Sequence, residues 1–295
     1  MNFNKYVTIL KEKLSNSVGF PLSDILTETI IQQALKDEQM KYRERLYTPA
    51  ITLWTWIYQV LNKDKSCKNA ISIIISYVTT HEEKTPSPDT GAYCKARKRL
   101  KEGFIMRLLN YTGKYLQTQN TQLWCGRRVF ISDGSTVTMD DTEPNQKEYP
   151  QPESQAKGCG FPMANIVALF CLNTGALLQT IIDALSTHEL NLFRRLYEYL
   201  QSGDIALGDR LYSSYADICL LKSRDVDCVF RMHQKRKVDF RTGKILGIKD
   251  HIVTWTKPKS CPSGLDEALF AILSSAESGD QYFHKALSYE KYAFV

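Results

Sequence analysis

The stretch IALGDRLYSSY, Ile205 to Tyr215, decides the fold. A short apolar run closes on Gly208, and a bare carboxylate, Asp209, follows directly beside Arg210. Such a run, bounded by glycine, reads as a buried strand. A strand that ends on a charge has two explanations. One is a simple turn, with Arg210 a plain surface partner for Asp209. The other is a carboxylate held at the rim of a sheet because a metal ion must meet it there.

Working outward, RRVFISDG is a second short apolar run, and it closes on Asp133 and Gly134. After a polar loop from Thr138 to about Pro162, ANIVALFCLNTGALLQTIIDAL holds two apolar runs joined by Asn173-Thr174-Gly175, a hairpin signal. STHELNLFRRLYEYL then predicts a helix opened by a capping box, Ser186 with Glu189, and striped by Leu192, Phe193, Leu196 and Leu200. IALGD is the next strand, SSYADICLLKSRD the next helix and VDCVFRMH a further strand. Strand, strand, strand, helix, strand, helix, strand describes a mixed sheet with helices packed on it. That is the element order of an RNase H-like α/β fold.

In such a sheet the first and fourth strands lie side by side, so Asp133 and Asp209 converge on one rim. Two like charges in proximity repel unless a cation neutralises them. Mg²⁺ suits the place, because it takes hard oxygen ligands and completes its shell with water and phosphate. Two metals sharing a carboxylate activate an attacking oxygen and stabilise a leaving one in phosphoryl transfer. Asp140 and Asp141 follow soon after Asp133, but in a loop where they are expected to be solvated.

The region before Gly126 reads as helical. TPAITLWTWIYQVLN places Thr48 as N-cap and Pro49 at the first helical position, with Trp54, Trp56 and Tyr58 expected in the core. KNAISIIISYVTT follows, then a break at TPSPDTG and a short basic helix, GAYCKARKRL. There Ala92, Ala96 and Leu100 recur at helical spacing and leave Lys95, Arg97, Lys98 and Lys101 on the flanks. Helix, break and short basic helix suit either a DNA-contacting module or an ordinary surface.

Bulk composition narrows the partners. Apolar residues make up 43% of the 295 and charged residues 24%, ordinary values for a globular protein. No apolar run approaches the roughly 20 residues of a membrane helix. MNFNKYVTILKEKL reads as an amphipathic helix rather than an export signal, so a cytoplasmic location and no membrane partner are expected. The eight cysteines form no C-x-x-C pair and are expected to be reduced thiols. The net charge of +6 is concentrated: His81 to Arg128 carries ten Lys/Arg against four acids, and Arg231 to Ser260 nine against two. Two basic segments around a less basic middle point to a polyanion, nucleic acid being the commonest.

ISDGSTVTMDDTEPNQKEYPQP, GCGFPMANIVALFCLNTGALL and IALGDRLYSSYADICLL resemble the catalytic core of insertion-sequence-four type transposases of the DDE superfamily. DTGAYCKARKRL resembles the end of their helical N-terminal region. The resemblance implies Asp133 and Asp209 as the first two catalytic and metal-binding carboxylates, with Mg²⁺ or Mn²⁺ as cofactor. It implies as partners the terminal inverted repeats of an insertion sequence and target DNA, with self-association on that DNA. DNA contacts are expected from Lys95, Arg97, Lys98, Arg99, Lys101, Arg210, Lys235, Arg236 and Lys237. The expected domains are a helical DNA-binding region (1–125), the RNase H-like core (126–234), the start of a β-rich insertion (235–262) and an atypical tail (263–295).

The family's third acid is a glutamate on a later helix, within a Tyr-x2-Arg-x3-Glu-x6-Lys signature. SSAESGDQYFHKALSYEKYAFV contains no such signature, and Tyr289-Glu290-Lys291 echoes it at the wrong spacing. The expectation is a truncated or frameshifted, inactive remnant. A DNA-binding regulator that blocks transposition and an RNase H-fold nuclease are the alternatives.

Overall fold

The computed structural model describes residues 22, 25–80, 86–119, 123–232, 239, 241–248, 250–255, 257–262, 264–273, 282–288 and 290–294. Lys235, Arg236 and Lys237 lie outside them. The chain divides into two units, Met1–Thr112 and Gly113–Val295.

The first unit is helical: α1 (Glu28–Asp37), α2 (Pro49–Leu61), α3 (Cys67–Thr80), α4 (Gly91–Lys98) and the start of α5 (Glu102–Gln119). Thr48 caps α2 as its sequence requires, its Oγ1 accepting from the Ile51 amide at 3.3 Å, with Pro49 at the first position. Ile31, Leu35, Ala50, Leu53, Phe104 and Leu108 form its larger core. Trp54, Trp56 and Tyr58 are only half-buried; the buried face of α2 is Thr52, Leu53, Thr55 and Gln59. The basic helix α4 is also turned from its expected face. It buries Tyr93 and Ala96 and leaves Ala92 exposed, because the Tyr93 hydroxyl donates to Gln59 Oε1 at 2.8 Å.

The second unit holds one sheet. Its elements are β1 (Val129–Thr138), α6 (Glu143–Glu148), β2 (Met163–Cys171), β3 (Leu177–Ala184), α7 (Glu189–Arg195), β4 (Ile205–Gly208), α8 (Tyr215–Lys222) and β5 (Asp227–Arg231). Then come β6 (Lys244–Gly247), β7 (Asp250–Thr254), α9 (Glu267–Ile272), β8 (Tyr282–Ser288) and β9 (Glu290–Phe294). The strand order is β3-β2-β1-β4-β5-β9-β8-β7-β6. β1, β2 and β3 are antiparallel neighbours, whereas β1–β4 and β4–β5 are parallel. The first five strands with their flanking helices are an RNase H-like mixed sheet. Cys171 and Ala176 close the β2–β3 hairpin, with Gly175 at φ +69°, where a side chain would be strained.

The apolar stripe is buried as its spacing predicts, although α7 ends at Arg195 and a 3-10 turn, Tyr197–Tyr199, carries the chain on to Leu200. Leu192, Phe193, Leu196 and Leu200 join Phe130, Val167, Leu169, Ala206, Cys228 and Phe230 in one core. The capping box does not form. His188 is the cap of α7, its Nδ1 accepting from the Leu190 amide at 3.2 Å, because Thr187 is held in a turn at the end of β3. There the Thr187 amide donates to Ala184 O at 2.9 Å and its hydroxyl to Asp183 Oδ1 at 3.2 Å. The polar loop after β1 contains a helical turn, α6, capped by Thr142. Among the described residues no helix is long and apolar enough to cross a membrane.

Candidate active site

The ladder between β1 and β4 is what brings the two aspartates together. It pairs Val129 with Ile205, Phe130 with Ala206, Ile131 with Leu207 and Ser132 with Gly208. One step further stand Asp133 and Asp209. Asp209 keeps an extended backbone, φ −73° and ψ 175°, so the alignment persists into that step. Adjacent strands lie about 4.8 Å apart, so the two carboxylates stand side by side.

Asp133 is not at the end of its strand, as its sequence suggested. β1 continues to Thr138, because β2 pairs with it as far as Thr138 with Met163. Only the edge facing β4 ends at Ser132. The Asp-Gly pair is therefore no turn. Asp133 is exposed, and its Oδ1 accepts from the Gly134 amide at 3.0 Å. Asp209 is also exposed, with Arg210 Nε 3.9 Å from its Oδ2. Both are open to solvent and supply hard oxygen donors, which fits a hydrated divalent cation.

The alignment is fixed from the opposite end of the strands. Arg128 makes a bidentate pair with the buried Asp204, both contacts at 2.8 Å. Arg127 donates to Gly203 O at 2.7 Å, to Asp204 O at 3.1 Å and to Asp227 Oδ2 at 2.6 Å. These two arginines, counted in the basic segment, tie the starts of β1, β4 and β5 together. Planar guanidinium forks suit that task.

Glycines beside the aspartates permit close packing. A Cβ on Gly208 would lie 2.6 Å from the Tyr212 ring and 3.1 Å from Phe230; one on Gly134 would collide with the Glu189 carboxylate. Side chains alternate along β1, so Gly134 faces α7 and Asp133 the opposite side. Glu189 thus approaches beneath the sheet, and Tyr212, buried, donates its hydroxyl to Glu189 Oε1 at 2.5 Å. Among the described residues no group of three or more acids, histidines or cysteines is placed to hold a metal. Glu189 and Tyr212 escaped the sequence reading, which saw in Glu189 only a helix-start residue. The Gly-flanked aspartates were the available signal.

Burial, then the Glu189 hydrogen bond and the charges of Glu189, Asp133 and Asp209, push the Tyr212 hydroxyl far above its ordinary value of 10.0. The folded state therefore keeps a proton that the unfolded chain releases, and stability falls as pH rises above about 10. Tyr212→Phe is expected to cost about 1.5–3 kcal/mol at neutral pH, because Glu189 loses its donor. It should also reduce the drop in urea midpoint between neutral and alkaline pH. An unchanged midpoint at both pH values would remove Tyr212 from the support of this site.

The expected DNA contacts are distributed as follows. Lys95, Lys98, Arg99 and Lys101 are exposed in the helical unit, and Lys101 Nζ also donates to Glu38 O at 3.1 Å. Arg97 turns inward: it donates to Gln59 Oε1 at 2.9 Å and lies over the rings of Trp56 and Tyr93 at 5.4 and 5.7 Å. Arg210 is exposed beside Asp209.

Residues 124–262 match the family model described as the transposase DDE domain. The match covers just under half of the chain, includes both aspartates, and supports a transposase function within the DDE family. No curated protein matches the chain.

Proposed function

We propose that the chain is a DDE transposase of the insertion-sequence-four type in which Asp133 and Asp209 are the first two catalytic carboxylates. It binds the terminal inverted repeats of an insertion sequence. The observation that carries this reading is the placement of Asp133 and Asp209 one step beyond the last β1–β4 pair, within the segment similar to transposase DDE domains.

Asp133 and Asp209 would hold Mg²⁺ or Mn²⁺. The bound metal supplies Lewis-acid stabilisation of the charge developing on a transferred phosphate. Around it the chain's own residues bind and orient. Arg210 lies beside the carboxylates to meet a phosphate, and the Tyr212–Glu189 pair supports β1 and the turn after β4 from below. In the helical region, 1–125, Lys95, Lys98, Arg99 and Lys101 supply sequence-independent phosphate contacts. Lys235, Arg236 and Lys237 extend those contacts from the start of the insertion.

The residues after Arg231 carry no Tyr-x2-Arg-x3-Glu-x6-Lys signature. Glu290, the nearest echo, begins strand β9, whereas the resembled family places its glutamate on a helix.

A strand-transfer assay with Mg²⁺ and terminal inverted-repeat DNA tests the proposal. Specific binding of the repeat DNA is expected. An absence of binding would overturn the transposase reading, and nicking without joining would favour a nuclease. If Asp133→Asn and Asp209→Asn left the metal response unchanged, the paired-carboxylate site itself would be wrong.

A further inference from the structure

Away from the aspartates, the helical unit contains a recess with a volume of about 910 Å³. Ligand pockets run from about 300 to 1,000 Å³, so the space is of binding-site size. Lys41, Arg43 and Arg45 line it from the segment before α2, and Lys95 and Arg99 from α4 and its end. Among the described residues none of these five makes an ion pair. Asp89 is the one carboxylate among the described lining residues.

Two buried hydroxyls belong to the same walls. Thr52 is 1% exposed and Tyr47 is half-buried, and neither Thr52 Oγ1 nor Tyr47 Oη has a hydrogen-bond partner among the described residues. A buried hydroxyl left without a partner costs stability, and a ligand that supplies the missing bond recovers it. The cations require an anion. The volume is too large for an inorganic phosphate alone, and the hydroxyls require a polar body attached to that anion.

We propose that this recess binds a nucleotide. The phosphate pairs with Lys41, Arg43, Arg45, Lys95 and Arg99, while the base or sugar meets the hydroxyls of Tyr47 and Thr52. A stacked duplex presents its phosphates on a convex rod and keeps its bases paired, so it cannot fill a recess. An unstacked nucleotide of a DNA strand can, as can a free nucleoside phosphate. The inference stands on the helical unit and does not depend on the carboxylate pair.

The test uses the full chain and fluorescence anisotropy with three probes. They are a labelled duplex carrying one unpaired nucleotide, the same duplex fully paired, and labelled dAMP. The unpaired nucleotide is expected to tighten binding about tenfold over the paired duplex. Tyr47→Phe and Thr52→Val, which conserve shape, should each remove several-fold of that preference and leave paired-duplex binding intact. Arg99→Gln should weaken both. If dAMP binds with the same sensitivity to Tyr47→Phe and the unpaired nucleotide confers no preference, the source is a free nucleotide and the site stands. Equal affinity of wild type, Tyr47→Phe and Thr52→Val for all three probes, with unchanged circular dichroism, overturns it. All three affinities are measured without divalent metal, so failure here and failure of the carboxylate site remain separable.

Discussion

Arg194→Met is expected to destabilise the sheet-bearing unit by about 3–5 kcal/mol, read as a lower urea midpoint. The reason lies at Asp217, which is fully buried in α8. Arg194 Nε donates to its Oδ1 at 2.7 Å and Nη2 to its Oδ2 at 3.1 Å. Tyr197 donates to Oδ1 at 2.9 Å, and the Ser214 hydroxyl donates to Oδ2 while capping α8. Removing the guanidinium leaves a buried carboxylate with only neutral donors. Replacing both partners removes that cost, so Arg194→Met with Asp217→Leu should recover most of the loss. If the double variant were as unstable as the single one, the charge would not be the cause.

The second large effect concerns metal binding. Asp133→Asn and Asp209→Asn should each abolish the thermal stabilisation that millimolar Mn²⁺ gives the wild-type chain. A cation that binds only the folded state stabilises it by mass action, and either substitution removes half of the donor pair. Without metal, both variants should melt at or slightly above the wild-type temperature, because a like-charge contact has been relieved. The two observations together separate a ligand role from a structural one. Equal Mn²⁺ responses in all three proteins would refute the pair.

The order of strands and helices was legible because each element announces itself locally. Runs such as VFIS and IALG, the Asn173-Thr174-Gly175 hairpin and the Thr48-Pro49 cap need only neighbouring residues to be read. Adjacency of Asp133 and Asp209 was legible at one remove, through the element order. What local pattern could not disclose was long-range packing. β1 continues past Asp133 because β2 pairs with it there. Gly134 and Gly208 are small because Glu189 and Tyr212, distant in sequence, press against them. Arg97, Arg127 and Arg128 look like surface charge in a basic run, yet they are engaged with Gln59, Asp227 and Asp204. The cations of Lys41, Arg43 and Arg45 escaped notice because they share their recess with a helix some fifty residues away.

The parallel register of β1 and β4 also governs which changes of chain length the protein tolerates. Successive strand residues point to opposite faces, so a one-residue deletion between Val129 and Ser132 would rotate Asp133 away from Asp209. Loop closure varies only slowly with length, so extra residues at the β2–β3 hairpin tip would leave both aspartates in place. Lineages of this chain should therefore accumulate insertions at Asn173–Gly175 and none within the four residues that precede either aspartate.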